Sequence, residues 1–97
     1  MGKYREPTDQ EILDILQEEC AEVIHIISKI RRFGMDNVHP SDGCQETNKS
    51  KLRNEIKDVL SMIDWVQIRQ IIPPFYIDEV RNATKLKHDK VRRYLID

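Results

Sequence analysis

The sequence predicts an all-α domain, and three observations carry that prediction. Apolar residues recur at spacings of three and four along two long segments, residues 12–30 and 52–66, as they do on one face of a helix. Thr8-Asp9-Gln10-Glu11 has the form of a capping box, with Thr8 as N-cap and Glu11 reaching back from the third helical position. No stretch shows the strict polar–apolar alternation of a half-buried strand.

The elements follow in order. Residues 1–7 are polar, end in Pro7 and read as a flexible lead-in. The first helix then runs from the capping box to about Phe33, where Gly34 supplies a left-handed stop. That is about 25 residues, or roughly 37 Å. Its stripe is Ile12, Ile15, Leu16, Val23, Ile26 and Ile30. A loop rich in turn formers follows, from Met35 to about Asn48 (Asp36, Asn37, Pro40, Ser41, Asp42, Gly43). It is long for a helix–helix connection, and such loops usually carry function or disorder. The second helix starts around Asn48–Ser50 and continues to about Ile71, ahead of Pro73-Pro74. Leu52, Ile56, Val59, Ile63 and Val66 form its stripe, with Met62 at the margin. A third helix spans about Ile77 to Leu95, with Ile77, Val80, Thr84, Val91 and Leu95 on one face and Lys87 interrupting them.

Ninety-seven residues make a single domain, 1–97. A chain of this size buries only about 60–65% of its unfolded surface. Wide apolar faces on long helices therefore predict that another copy of the chain covers part of them. The 17 acidic and 16 basic residues nearly cancel, so bulk charge gives no case for a nucleic-acid partner. The basic residues do crowd the C-terminal segment, at Arg81, Lys85, Lys87, Lys90, Arg92 and Arg93. Cys20 and Cys44 are too few for a disulfide framework, which points to a reduced, cytoplasmic setting. The N-terminus lacks the apolar core of a signal peptide, and no apolar run reaches the length of a membrane span.

The feature around which the chain is organised is Glu18-Glu19-Cys20-Ala21-Glu22. On a helical projection Glu19 falls between Ile12 and Ile15, Glu22 just beyond Ile15, and Glu18 at the edge of the stripe. Burying an ionised carboxylate without a partner costs several kcal/mol, so these groups predict either access to water or a bound positive charge. Glu55 and Asp58 repeat the i, i+3 spacing on the second helix, Glu55 just inside the margin of its stripe. Two antiparallel helices would then turn four carboxylates to one point. An all-oxygen donor set suits a hard cation, Mg²⁺ or Mn²⁺, better than zinc.

Glu-Glu-x-x-Glu at 18–22 followed by Glu-x-x-Asp at 55–58 resembles the signature of the MazG-like all-α nucleotide pyrophosphohydrolases. Lys90-Val91-Arg92-Arg93-Tyr94 resembles the basic closing helix of that family. The resemblance covers about residues 10–95, and the length fits a minimal, phage-like member with a long spacer between the motifs. It implies a homodimer or homotetramer whose long helices complete a four-helix-type bundle. It also implies hydrolysis of nucleoside triphosphates between the α and β phosphates, giving a monophosphate and pyrophosphate. By matching position, Glu19, Glu22, Glu55 and Asp58 would hold Mg²⁺, and Glu18 would activate the attacking water. Lys90 and Arg93 would meet the triphosphate. Lys87 is a further candidate, because periodicity points it inward better than Lys90. His88 stands where many relatives place asparagine.

Trp65, beyond Asp58, is a candidate stacking surface for a base, against the plainer expectation that a lone tryptophan packs in a core or interface. His39, Gln45 and Asn48 in the loop offer donors to a base. Two other functional classes compete. Glu22-x-x-His25 has the spacing of di-iron carboxylate bundles, although His25 lies off the apolar stripe and Glu55-x-x-Asp58 lacks the histidine. A non-enzymatic helical module that binds nucleotide is the third class.

Overall fold

A computed structural model describes residues 2, 4–40, 43 and 45–95. Three helices account for most of them: α1 (Asp9–Phe33), α2 (Asn48–Ile68) and α3 (Ile77–Tyr94). Among the described residues no strand forms; Val38 and Thr47 make one isolated antiparallel bridge across the base of the α1–α2 loop.

The start of α1 is fixed locally. The Thr8 hydroxyl accepts from the Glu11 amide at 3.1 Å, and the Glu11 carboxylate accepts from the Thr8 amide at 2.9 Å. Arg5 clasps the same carboxylate with two bonds of 2.7 Å, so the lead-in is tied down at Arg5. The arginine and the Thr8 donors together hold the Glu11 carboxyl down at about 2. Gly34 ends α1 with a positive φ of 94°, but its ψ of 166° is extended rather than left-handed helical as expected from the sequence. Only glycine visits that region readily.

α2 begins at Asn48, within the expected range, but its cap and its end differ from the sequence expectation. Its N-cap is Thr47, whose hydroxyl accepts from the Ser50 amide at 3.2 Å. Asn48, expected as a cap, is instead 2% exposed and donates its side-chain amide to the Gly34 carbonyl at 3.0 Å. The helix also stops at Ile68, ahead of Ile71. Gln70 turns to φ 55°, its amide bonds to Gln67 and that of Ile71 to Val66. This pair of bonds is a Schellman motif with glutamine in the glycine position. It folds Ile71 back against the core, which a helix running on toward Pro73 would not allow.

α1 and α2 run antiparallel. Met35 and Asn37 at one end receive the Lys49 and Asn48 amides, and at the other Arg69 donates to the Pro7 carbonyl at 3.1 Å and to Asp9 at 3.0 Å. Ile12, fully buried, meets Met62 and Val66, with Leu13, Leu16, Trp65 and Ile71 packed around them. Ile26 is buried further along α1. Met62, not Ile56, therefore carries the buried line of α2. Ile56 and Ile15, both expected inside, remain 43% and 37% exposed.

α3 packs against neither α1 nor α2. Its apolar residues, Val80, Leu86 and Val91 among them, are exposed, so its stripe is not buried within one chain. The radius of gyration is 17.4 Å, against about 13 Å for a compact domain of this length. The chain is a helix pair with a third helix standing off it. No helix among the described residues is long and apolar enough to cross a membrane.

Candidate metal centre

The antiparallel packing of α1 on α2 brings carboxylates from both helices together. Glu19 of α1 and Glu55 and Asp58 of α2 each present an oxygen within 4.8 Å of the other two. Glu19 and Glu55 are half-buried and Asp58 is exposed. The i, i+3 spacing puts Glu55 and Asp58 one turn apart on the face that Glu19 approaches.

The electrostatics are those of crowded like charge. Burial pushes the Glu55 carboxyl above its ordinary range, and Glu19, Glu22 and Asp58 push it further, in that order. None of the groups that shift Glu55 is a cation. The donors are all carboxylate oxygens, which fits a hard divalent ion such as Mg²⁺ or Mn²⁺. Mg²⁺ binds through few carboxylates and keeps water or phosphate oxygens in its other positions.

Glu22 is exposed, one turn beyond Glu19. It is near enough to act on Glu55 but lies outside the group of three. Glu18 is exposed next to Glu19. Among the described residues of one chain His25 is not grouped with these ligands either.

The other sequence-predicted residues are dispersed. Trp65 is half-buried against Ile12, Met62 and Val66, the plainer of its two expected places. Lys87, Lys90 and Arg93 are exposed on α3, and one chain does not bring them to the carboxylates. Lys87 instead lines a shallow groove with Phe75, Val80 and Thr84 along α3. His39 lines a concavity between the loop and the end of α1. Gln45 is exposed at φ 58°, and the Asn48 amide is used by the Gly34 carbonyl. Cys20 is exposed and free, whereas Cys44, Ser41 and Asp42 lie outside the described residues.

Sequence reasoning missed Lys29 and Arg32. With Glu22 and His25 they follow a 3-4-3 spacing along one side of α1, a signal that was readable beside the apolar stripe. Compared with family models, curated proteins and solved structures, the chain matches none.

Proposed function

We propose that this chain is a MazG-like, Mg²⁺-dependent nucleoside triphosphate pyrophosphohydrolase, acting in the cytoplasm as a homodimer or homotetramer. One observation carries the reading: Glu19, Glu55 and Asp58, from two helices, bring oxygens within 4.8 Å of one another. These three residues would hold the ion, with Glu22 one turn away. When bound, Mg²⁺ supplies polarisation of a phosphoryl oxygen and acidification of a water.

The remaining steps belong to the chain's own side chains. Glu18, exposed beside Glu19, takes a proton from the attacking water. The water oxygen bonds to the α-phosphorus, the bond to the α–β bridging oxygen breaks, and pyrophosphate leaves with that oxygen. Cations offset the charge that grows on the leaving group. Lys87, Lys90 and Arg93 are the cations suited to this, and α3 of a second copy would deliver them.

The oligomer has physical support of its own. Most of a helix's stability in a protein comes from packing its amphipathic face, and α3 finds no cover for that face within its own chain. On the helix pair, Ile24 is 66% and Leu60 59% exposed, beside Val23, Ile56 and Val59 in an apolar groove. A second helix pair seated there completes a four-helix-type bundle.

A screen of the common ribo- and deoxynucleoside triphosphates for pyrophosphate release, with Mg²⁺ and with EDTA, tests the activity. Release with Mg²⁺ alone is expected. Mg²⁺-dependent nucleotide binding by titration calorimetry, without pyrophosphate on long incubation, would replace the enzyme with the binding module.

A further inference from the structure

Separate from the carboxylates, a pocket of about 410 Å³ lies between the last turns of α1 and the α1–α2 loop. Its volume is in the range of small-molecule sites, about 300–1,000 Å³. Its walls include His25, Lys29, Arg32, Phe33, His39 and Asn48, and among the described residues no carboxylate contributes to them. In a chain with a formal charge of −1, this is a concentrated positive lining. Lys29 is roughly ten residues beyond Glu19, or about 15 Å along the helix.

The pocket is built rather than incidental. The buried Asn48 donates to the Gly34 carbonyl at 3.0 Å, and the Asn48 and Lys49 amides donate to Asn37 and Met35. These bonds fix the loop against the end of α1. The loop's described carboxylates are engaged elsewhere: Asp36 pairs with Lys49 at 2.7 Å, and Glu46 accepts from Ser50 and Asn54. Arg32 sits 5.1 Å over the Phe33 ring. Among the described residues neither Lys29 nor Arg32 has a carboxylate partner, and Lys29 is half-buried. The helix dipole accounts for cations in the last turn, Arg31 and Arg32. It does not account for Lys29 a turn earlier, where the dipole has faded and part of the side chain is out of water. A half-buried ammonium beside a guanidinium at i, i+3, with no anion paired to either among the described residues, matches an external one.

We propose that this pocket binds a phosphorylated small molecule, its phosphate between Lys29 and Arg32 and its flat portion against Phe33. Lys29 supplies a point charge, Arg32 a planar fork of donors, and the Phe33 ring an apolar face. The site needs no metal, so it stands or falls apart from the pyrophosphohydrolase reading.

The test is a titration of the metal-free full chain, in EDTA, with 5′-AMP, followed by NMR. Saturable binding of one AMP per protomer is expected, with shifts centred on the His25 and His39 imidazoles and with inorganic phosphate competing. Lys29→Ala, placed in a helix that alanine favours and checked for helicity, weakens binding at least about tenfold, the size of a lost charged hydrogen bond. Lys29→Arg, which keeps the charge, stays within about threefold of the parent. Glu55→Gln leaves binding unchanged. Shifts that rise linearly without saturation, parent affinity in Lys29→Ala, equal binding of adenosine, or loss of binding in Glu55→Gln would each overturn the proposal.

Discussion

The carboxylate of Glu19 on α1 and that of Glu55 on α2 approach within 4.8 Å, and Glu55 is held above the usual carboxylate range. Each helix thus opposes the other at this point while hydrophobic contacts elsewhere hold them together. The folded protein pays for this repulsion when no cation is bound. Glu55→Gln should therefore raise the melting temperature of the metal-free protein by about 2–4 °C, for roughly 0.5 kcal/mol of screened like-charge repulsion. Mg²⁺ should stabilise the parent, by about 2.7 kcal/mol at a hundredfold excess over its Kd, and the variant much less. Differential scanning calorimetry with and without Mg²⁺ measures both. An unchanged or lower metal-free melting temperature in the variant would show that these carboxylates do not oppose folding.

Activity should follow the same three residues. Glu19→Gln or Asp58→Asn is expected to abolish pyrophosphate release while leaving the circular dichroism of the helices intact. Glu22→Gln, altering a group outside the trio, should cost less, with loss showing mainly as a higher Mg²⁺ requirement. Full activity in Glu19→Gln would remove that residue from the ligand set.

Which parts of this were legible in the sequence follows from how local each one is. The capping box needs only Thr8 and Glu11, three residues apart, and it forms as read. Glu19, Glu55 and Asp58 converge because helical periodicity and one antiparallel reversal suffice to place them. Glu22 shares their spacing but stands a turn away, a distinction set by the crossing of α1 on α2, which periodicity does not encode. That crossing also puts Met62 inside and leaves Ile56 partly exposed. Asn48 looked like a cap because its partner, the Gly34 carbonyl, is supplied by tertiary structure. The stand-off of α3 was not legible either: its amphipathic pattern predicts only that its apolar face will be covered, and that cover does not come from its own chain.

The apolar groove along the helix pair makes a direct prediction about assembly. Leu60 is 59% exposed there, next to Ile24 and Ile56. Burying a leucine is worth about 1.5–3 kcal/mol, and a twofold interface counts each substitution twice. Leu60→Glu should weaken self-association by more than about a hundredfold while leaving the Ile12–Met62–Val66 core in place. Light scattering should then report the 11.5 kDa protomer. An unchanged mass would place the interface elsewhere.

At the end of α2 the backbone carries a measurable strain. Gln70 adopts φ 55° to close the Schellman motif, a conformation that costs a residue with a Cβ about 1–2 kcal/mol. Gln70→Gly relieves it, less the entropy that glycine adds to the unfolded chain. A net gain of about 0.5–1 kcal/mol is expected in urea denaturation. Gln70→Val, β-branched, should lose stability. A less stable glycine variant would mean that the Gln70 side chain matters more than its backbone.

The Arg5–Glu11 clasp should contribute to the acid sensitivity of stability. Glu11 is held at about 2 against an ordinary 4.5, first by the bond from Arg5 and then by the Thr8 amide. A carboxyl whose folded pKa is lowered contributes stability that is complete above the unfolded value. That contribution fades as pH falls from about 4.5 toward 2. Glu11→Gln removes the titration, so its melting temperature should fall less than the parent's between pH 5 and 2. Thr8→Ala removes the other half of the box and costs about 1 kcal/mol. Unlike the Glu11 contribution, the cost of losing the Thr8 hydroxyl should persist at low pH and in high salt, because the hydroxyl accepts from a backbone amide and that bond depends on neither the Glu11 nor the Arg5 charge. Thermal melts of the two variants across that pH range separate the contributions, and parallel pH profiles for Glu11→Gln and the parent would rule out the clasp as the source of the acid sensitivity.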